Sequence, residues 1–278
     1  MRLTNLLNSY EFHPVYFIEY SQQGCFFEIR INDCLIAKKQ RNGASRGTMV
    51  NINPFLLNSG PQKISVKIVP MNNDSSIKEN ALLTLKIGYT DFKKIVNYSE
   101  RKWTWVYTLP IIKENIARRP FVFYEDTFEA TIPYKLTGWT NCIALDKITN
   151  AEELIKNKFL YLHSLIISKN YTELKKEFYY KHYEFAIATY QTNEEFETKF
   201  ERFIHNLSLK DTDYFQPIED YKFVIYANGK MGTLESTKLG WLKSALLWLK
   251  DMGDHWDFAS IDVCLGIDSR TNKTIIIR

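Results

Sequence analysis

Cysteine is scarce in this chain: four residues in 278, with no C-x-x-C among them. That is too sparse for a disulfide scaffold or a paired-cysteine metal site. Cys25, Cys34, Cys142 and Cys264 read as free thiols, since a Cys25–Cys34 bridge would suit the hairpin expected between them poorly. Long apolar runs are absent too; none approaches the roughly eighteen residues of a membrane span. Missing as well are the dinucleotide fingerprint G-x-G-x-x-G, the phosphate loop G-x-x-x-x-G-K-[ST] and the zinc helix H-E-x-x-H. Catalytic residues, cofactor and metal ligands are therefore all predicted as none.

Charge of one sign is not concentrated anywhere. The net formal charge is +4. Residues 1–150 carry 19 basic and 13 acidic side chains, a balance of +6, and residues 151–278 carry 17 and 19, a balance of −2. Basic pairs such as Lys38-Lys39 and Arg118-Arg119 never merge into a stripe, which disfavours a nucleic-acid partner. With Met1 taken as the start, the N-terminal residues lack the regions of a signal peptide, and the expected location is cytoplasmic. Removal of a leader before residue 1 would instead imply a periplasmic or secreted protein.

What is present is apolar content of 45% and aromatic content of 15%, enough for a sizeable core and, at this length, for two domains. The most regular stretch is Asn150 to Leu207. Leu154, Ile155, Phe159, Leu162, Leu165 and Ile166 lay one apolar stripe along a helix. Leu174, Phe178, Phe185 and Ala186 or Ala188 do so on a second, and Phe196, Phe200, Phe203 and Ile204 on a third. Each is opened by the spacing of a capping box: Asn150 with Glu153, Asn170 with Glu173, Thr192 with Glu195. His163, His182 and His205 lie on these helices without the spacing of metal ligands, so packed or solvated histidines are the better reading.

Before the helices the pattern has the period of strands. Val15–Tyr20, Cys25–Ile31, Leu35–Ala37, Lys63–Val69, Ala81–Ile87, Trp103–Leu109 and Phe121–Ile132 read as strands, with a tight turn at Asn32-Asp33. Gln40–Thr48, polar and holding two glycines, reads as a loop. Trp103, Trp105 and Tyr107 alternate as core residues of a sandwich do; together with Tyr124 and Trp139 they also offer an aromatic platform for sugar rings. Core packing is the favoured reading, and Trp139 the foremost exposed candidate.

After the helices, Tyr221–Tyr226 and Lys230–Leu234 form a hairpin around Asn228-Gly229. Ser244–Leu249 suits either a helix (Leu242, Ala245, Leu246, Leu249) or a strand, and strand is preferred. Ser260–Ile267 is its expected partner, across a turn at Asp251–Asp257, and Thr274–Arg278 is the last strand. The turn gathers Asp251, Asp254, His255, Trp256 and Asp257, the predicted partner-binding residues. Such a cluster has metal-ligand chemistry, but acids and glycine are also what turns prefer. Trp256 reads equally as an exposed anchor or as a plug for one end of the fold.

The fold class expected is two domains: 1–138 an all-β antiparallel sandwich, 139–278 α+β, with three helices followed by a curved antiparallel sheet. The segment IRINDCLIAKK…NINPFLLNSGPQKISVKIVP resembles jelly-roll accessory domains in pattern. In element order the second half resembles the nuclear-transport-factor-like, or cystatin-like, cone superfamily. As a whole the chain looks like a bacterial immunity-type binding protein. That resemblance implies a non-catalytic module with a protein partner. The alternatives are glycan binding through the sandwich and a small-molecule enzyme with its pocket in the cone.

Overall fold

A computed structural model describes residues 3–40, 42–72, 74–92, 102–109, 116–207, 210, 212–237 and 244–278. Among the described residues antiparallel sheet dominates and four α-helices accompany it, a β-rich α+β fold. The chain divides into two compact units. One comprises residues 5–136 with 188–190, and the other residues 137–187 and 191–278 with Leu3 and Thr4.

A short helix, α1 (Leu3–Asn8), precedes the strands of the first unit. These are β1 (Pro14–Gln23), β2 (Phe26–Ile31), β3 (Cys34–Lys39), β4 (Ser45–Asn51), β5 (Gly60–Val69), β6 (Leu82–Asp91), β7 (Thr104–Thr108) and β8 (Val122–Ala130). They form two antiparallel sheets, ordered β4-β1-β6-β7 and β3-β2-β5-β8. Alternation sets the buried faces: Ile29 and Ile31 on β2 and Ile64, Val66 and Ile68 on β5 are buried, while Arg30, Lys63, Ser65 and Lys67 between them are not. The turn from β2 to β3 falls on Asn32 and Asp33, both at positive φ (50° and 61°), a conformation these two side chains tolerate.

Asn53 anchors the interior of this unit. Its buried amide donates to the carbonyls of Pro14 (2.8 Å) and Ala188 (3.0 Å), and its Oδ1 accepts the Tyr16 N–H at 2.6 Å. Tyr134 and Tyr190 donate to the Asn53 and Pro14 carbonyls. Burial raises the pKa of the Tyr190 hydroxyl, which keeps it a donor.

Two readings of this region change. Part of the expected loop Gln40–Thr48 is strand, because β4 begins at Ser45, opposite Gln22 of β1. An edge strand half open to solvent needs no apolar alternation, so its pattern resembled a loop. Trp103, Trp105 and Tyr107 do not share a core face either. Ile87 pairs with Tyr107 but Gly88 with Trp105, a bulge that turns Trp105 outward, 42% exposed, while burial raises the Tyr107 pKa to about 12.

In the second unit α2 (Ala151–Ile167), α3 (Tyr171–Ala188) and α4 (Asn193–Asn206) follow one another. Thr192 and Glu195 form the full reciprocal capping box, worth about 1 kcal/mol. Asn170 accepts the Glu173 N–H at 3.2 Å. Asn150 makes no side-chain cap, since its backbone departs from the extended conformation that aims a capping oxygen. Seven strands follow: β9 (Tyr214–Phe215), β10 (Tyr221–Tyr226), β11 (Met231–Ser236), β12 (Leu247–Asp251), β13 (Trp256–Ser260), β14 (Leu265–Ile267) and β15 (Thr274–Ile276). They lie in two antiparallel sheets, β10-β11-β14-β15 and β13-β12-β9. Ser244–Leu249 thus leads into a strand, though Leu242 lies outside the described residues. The stretch Ser260–Ile267 contains no single partner strand: its start ends β13, the partner of β12, and its end is β14 in the other sheet.

Phe159, Leu162, Phe178, Phe200, Ile204, Phe215, Leu234, Trp248 and Leu265 fill the space between helices and strands. Phe185, expected to be buried, is 45% exposed on α3 although it lies seven residues, two helical turns, from the buried Phe178, while the small Ala186 and Ala188 are buried instead. His182 sits among Phe178, Phe200 and Phe203, with its Nε2 buried and unbonded. Burial, with Lys181 adjacent, lowers its pKa to about 4, against roughly 6.5 for a free histidine. The unfolded chain therefore takes up a proton in this window that the folded chain refuses, and stability is lost as pH falls from about 6.5 towards 4. That loss should reach roughly 3 kcal/mol. His182→Phe, which keeps the ring contacts, should remove this part of the slope. Urea denaturation of both proteins at pH 7 and at pH 4.5 measures it, and parallel slopes would assign the acid sensitivity elsewhere.

Candidate binding surface

The small sheet β13-β12-β9 separates two chemistries. Pairing sets Trp248 beside Phe215 and Ala259 on its inner face, where the first two rings stack at 5.6 Å and join the core. His163 of α2 stands edge-on to Phe215 at 4.7 Å and donates from Nε2 to the Gln216 carbonyl at 3.0 Å. Burial lowers its pKa, so it serves as a neutral packing element.

On the outer face the register places Tyr214, Leu249 and Phe258 in one row across the three strands, and Asp251 opposite Trp256 in the next. Tyr214 is 55% exposed, Trp256 54%, and Phe258 and the turn residue Met252 also reach solvent. Trp256 thus stands at one end of the sheet with more than half of its surface open among the described residues. Asp251, Asp254, His255, Trp256 and Asp257 are together in the β12–β13 hairpin, but most of the acids have structural duties. Asp251 accepts the Gly253 N–H at 2.8 Å, which lowers its pKa and holds the turn, where Gly253 has a φ of 92°. Asp254 accepts from His255 Nδ1 at 2.7 Å, and Asp257 accepts the Phe258 N–H at 2.8 Å. Asp213, which the sequence did not single out, accepts the Asp251 N–H at 3.0 Å and the Lys210 N–H at 2.9 Å. Among the described residues no group of three His, Cys, Asp or Glu side chains converges on a point where a metal ion could be held.

A second cluster in this unit was not visible in the sequence. The buried Glu184 carboxylate on α3 accepts the Thr137 and Gly138 N–H groups (2.8 and 2.9 Å), the Tyr180 hydroxyl (2.9 Å) and Arg278 Nη1 (2.8 Å). The Arg278 guanidinium also lies 5.4 Å over the Trp139 ring. Trp139, expected to be an exposed sugar platform, is buried under it. Nearby is a cleft of about 350 Å³ lined by Cys142, Tyr180, Asp268 and Arg270 among others. Burial raises the Cys142 thiol to about 11 and, with Glu184, raises the Tyr180 hydroxyl, while hydrogen bonds from Arg270 lower Asp268 to about 2.

The pentapeptide Gly43–Gly47 has the spacing of G-x-S-x-G, although no nucleophile elbow is expected from the sequence. Ser45 opens edge strand β4, with its Oγ accepting from Lys39 Nζ at 2.9 Å, rather than standing at a strand-to-helix turn. It is not a nucleophile elbow. None of the four cysteines is in a disulfide. Comparison with family models, curated proteins and solved structures finds no significant match to the chain.

Glu184→Gln should leave the buried Arg278 guanidinium without its counter-charge and cost about 3–5 kcal/mol of stability. Urea denaturation at pH 7 measures this; a loss below about 1 kcal/mol would mean that the backbone amides alone hold the cluster.

Proposed function

We propose that the protein is a non-catalytic protein-binding module, in which the first unit is a β-sandwich domain and the second an α+β domain carrying the interaction face. The observation that carries this reading is the outer face of β13-β12-β9. There Tyr214, Phe258 and Trp256 stand exposed side by side on rigid strands, rimmed by acids. Aromatic anchors inside a polar rim are what a binding hot spot requires. Among the described residues Asp213, Asp251, Asp254 and Asp257 outnumber Lys210 and Lys250 around it, so the complementary partner surface is basic. An immunity-type role, in which the module neutralises a bacterial toxin by covering a basic face, is the specific form of this reading.

The test uses the product of the adjacent gene as candidate partner. Trp256→Ala should cost at least about 2 kcal/mol of binding by calorimetry, while stability changes by no more than about 0.5 kcal/mol. Association should also slow as salt is raised from about 0.05 to 0.5 M. Full affinity retained in Trp256→Ala would place the interface elsewhere.

A further inference from the structure

We propose that the first unit carries a separate binding site for a neutral, linear oligosaccharide, on the outward face of β1, β6 and β7 around Trp103 and Trp105. The site begins with Gly88. A side chain there would put its Cβ 2.8 Å from the Trp105 ring, so the indole lies directly against bare backbone. Trp103 lies 5.9 Å away and within 22° of parallel, and Phe17 of β1 braces it edge-on at 5.5 Å. These rings are therefore fixed before any ligand arrives, which removes most of the ordering cost that exposed side chains otherwise impose on binding. Trp105 nevertheless remains substantially exposed.

Three observations select the occupant. The two indoles stack on each other, so the pair offers one continuous apolar surface against which a pyranose can lay a C–H face. Polar groups of both kinds adjoin them: Glu19 and Lys86 face each other across the β1–β6 pair, and Lys86 Nζ is 5.5 Å from the centre of the Trp105 ring. They supply an acceptor and donors for hydroxyls, and their charges balance, which suits a neutral ligand rather than an acidic or basic one. Size is the third. Three aromatic side chains offer at most about 150–250 Å² each and are already partly covered, well short of the roughly 800 Å² per partner of a stable protein interface. Small ligands need no such area.

The test is titration of the intact protein with cello-, malto- and chito-oligosaccharides, followed by tryptophan emission and calorimetry. At least one series should bind, disaccharides more tightly than monosaccharides. Trp105→Ala should weaken binding about tenfold or more with an unchanged melting temperature. Lys86→Met, a surface change, should weaken it without removing a ring. No binding to any series, binding equal in Trp105→Ala, or a preference for uronic-acid oligomers would each overturn the proposal. So would loss by Trp105→Ala of affinity for a protein partner, which would make the platform part of a protein interface. Trp256→Ala should leave sugar binding intact, so this site and the hairpin face fail or stand independently.

Discussion

The buried carboxylate of Glu184 is the constraint on which the second unit most depends. It collects two backbone amides from Thr137 and Gly138, a phenol from its own helix and a guanidinium from Arg278, so four partners from three stretches of chain meet at one charge. Removing a carboxylate from water costs several kcal/mol, and only such a full set of donors offsets it. Trp139 packs beneath the same arginine, which explains its burial despite polar neighbours in the sequence.

The aromatic core of the helices fixes the small sheet in turn. Phe215 and Trp248 are held inside by stacking and by His163, and period-2 geometry then obliges Tyr214 and Leu249 to face the other way. The exposed row is thus a consequence of the buried one. Strand pairing holds the backbone beneath it and the acids around it are tied into the turn, so among the described residues the face stays open.

How much of this was legible depended on whether the signal was local. Helix starts at Thr192 and Asn170, the Asn32-Asp33 turn and the strand leading from Ser244 could be read, because cap and turn chemistry act within four residues. The grouping of Asp251, Asp254, His255, Trp256 and Asp257 was legible for the same reason, though not that Tyr214 and Phe258 would join Trp256 on one face. The faces of Trp105 and Tyr107 were not legible, since the bulge that separates them is set by pairing with Ile87 and Gly88 some twenty residues earlier. Glu184 and Arg278 are 94 residues apart and carry no motif.

The bond from the Phe258 N–H to Asp257 Oδ1 bears on how the molecule behaves in concentrated solution. Among the described residues β13 is the outer strand of its sheet, flanked by exposed aromatics, the arrangement by which copies of a chain add edge to edge into fibres. Asp257 occupies an amide that an incoming strand would need, and with Asp254 it sets like charges along the rim, so identical copies repel. Resistance to edge-to-edge addition is in that sense written into the same residues that leave the aromatics open.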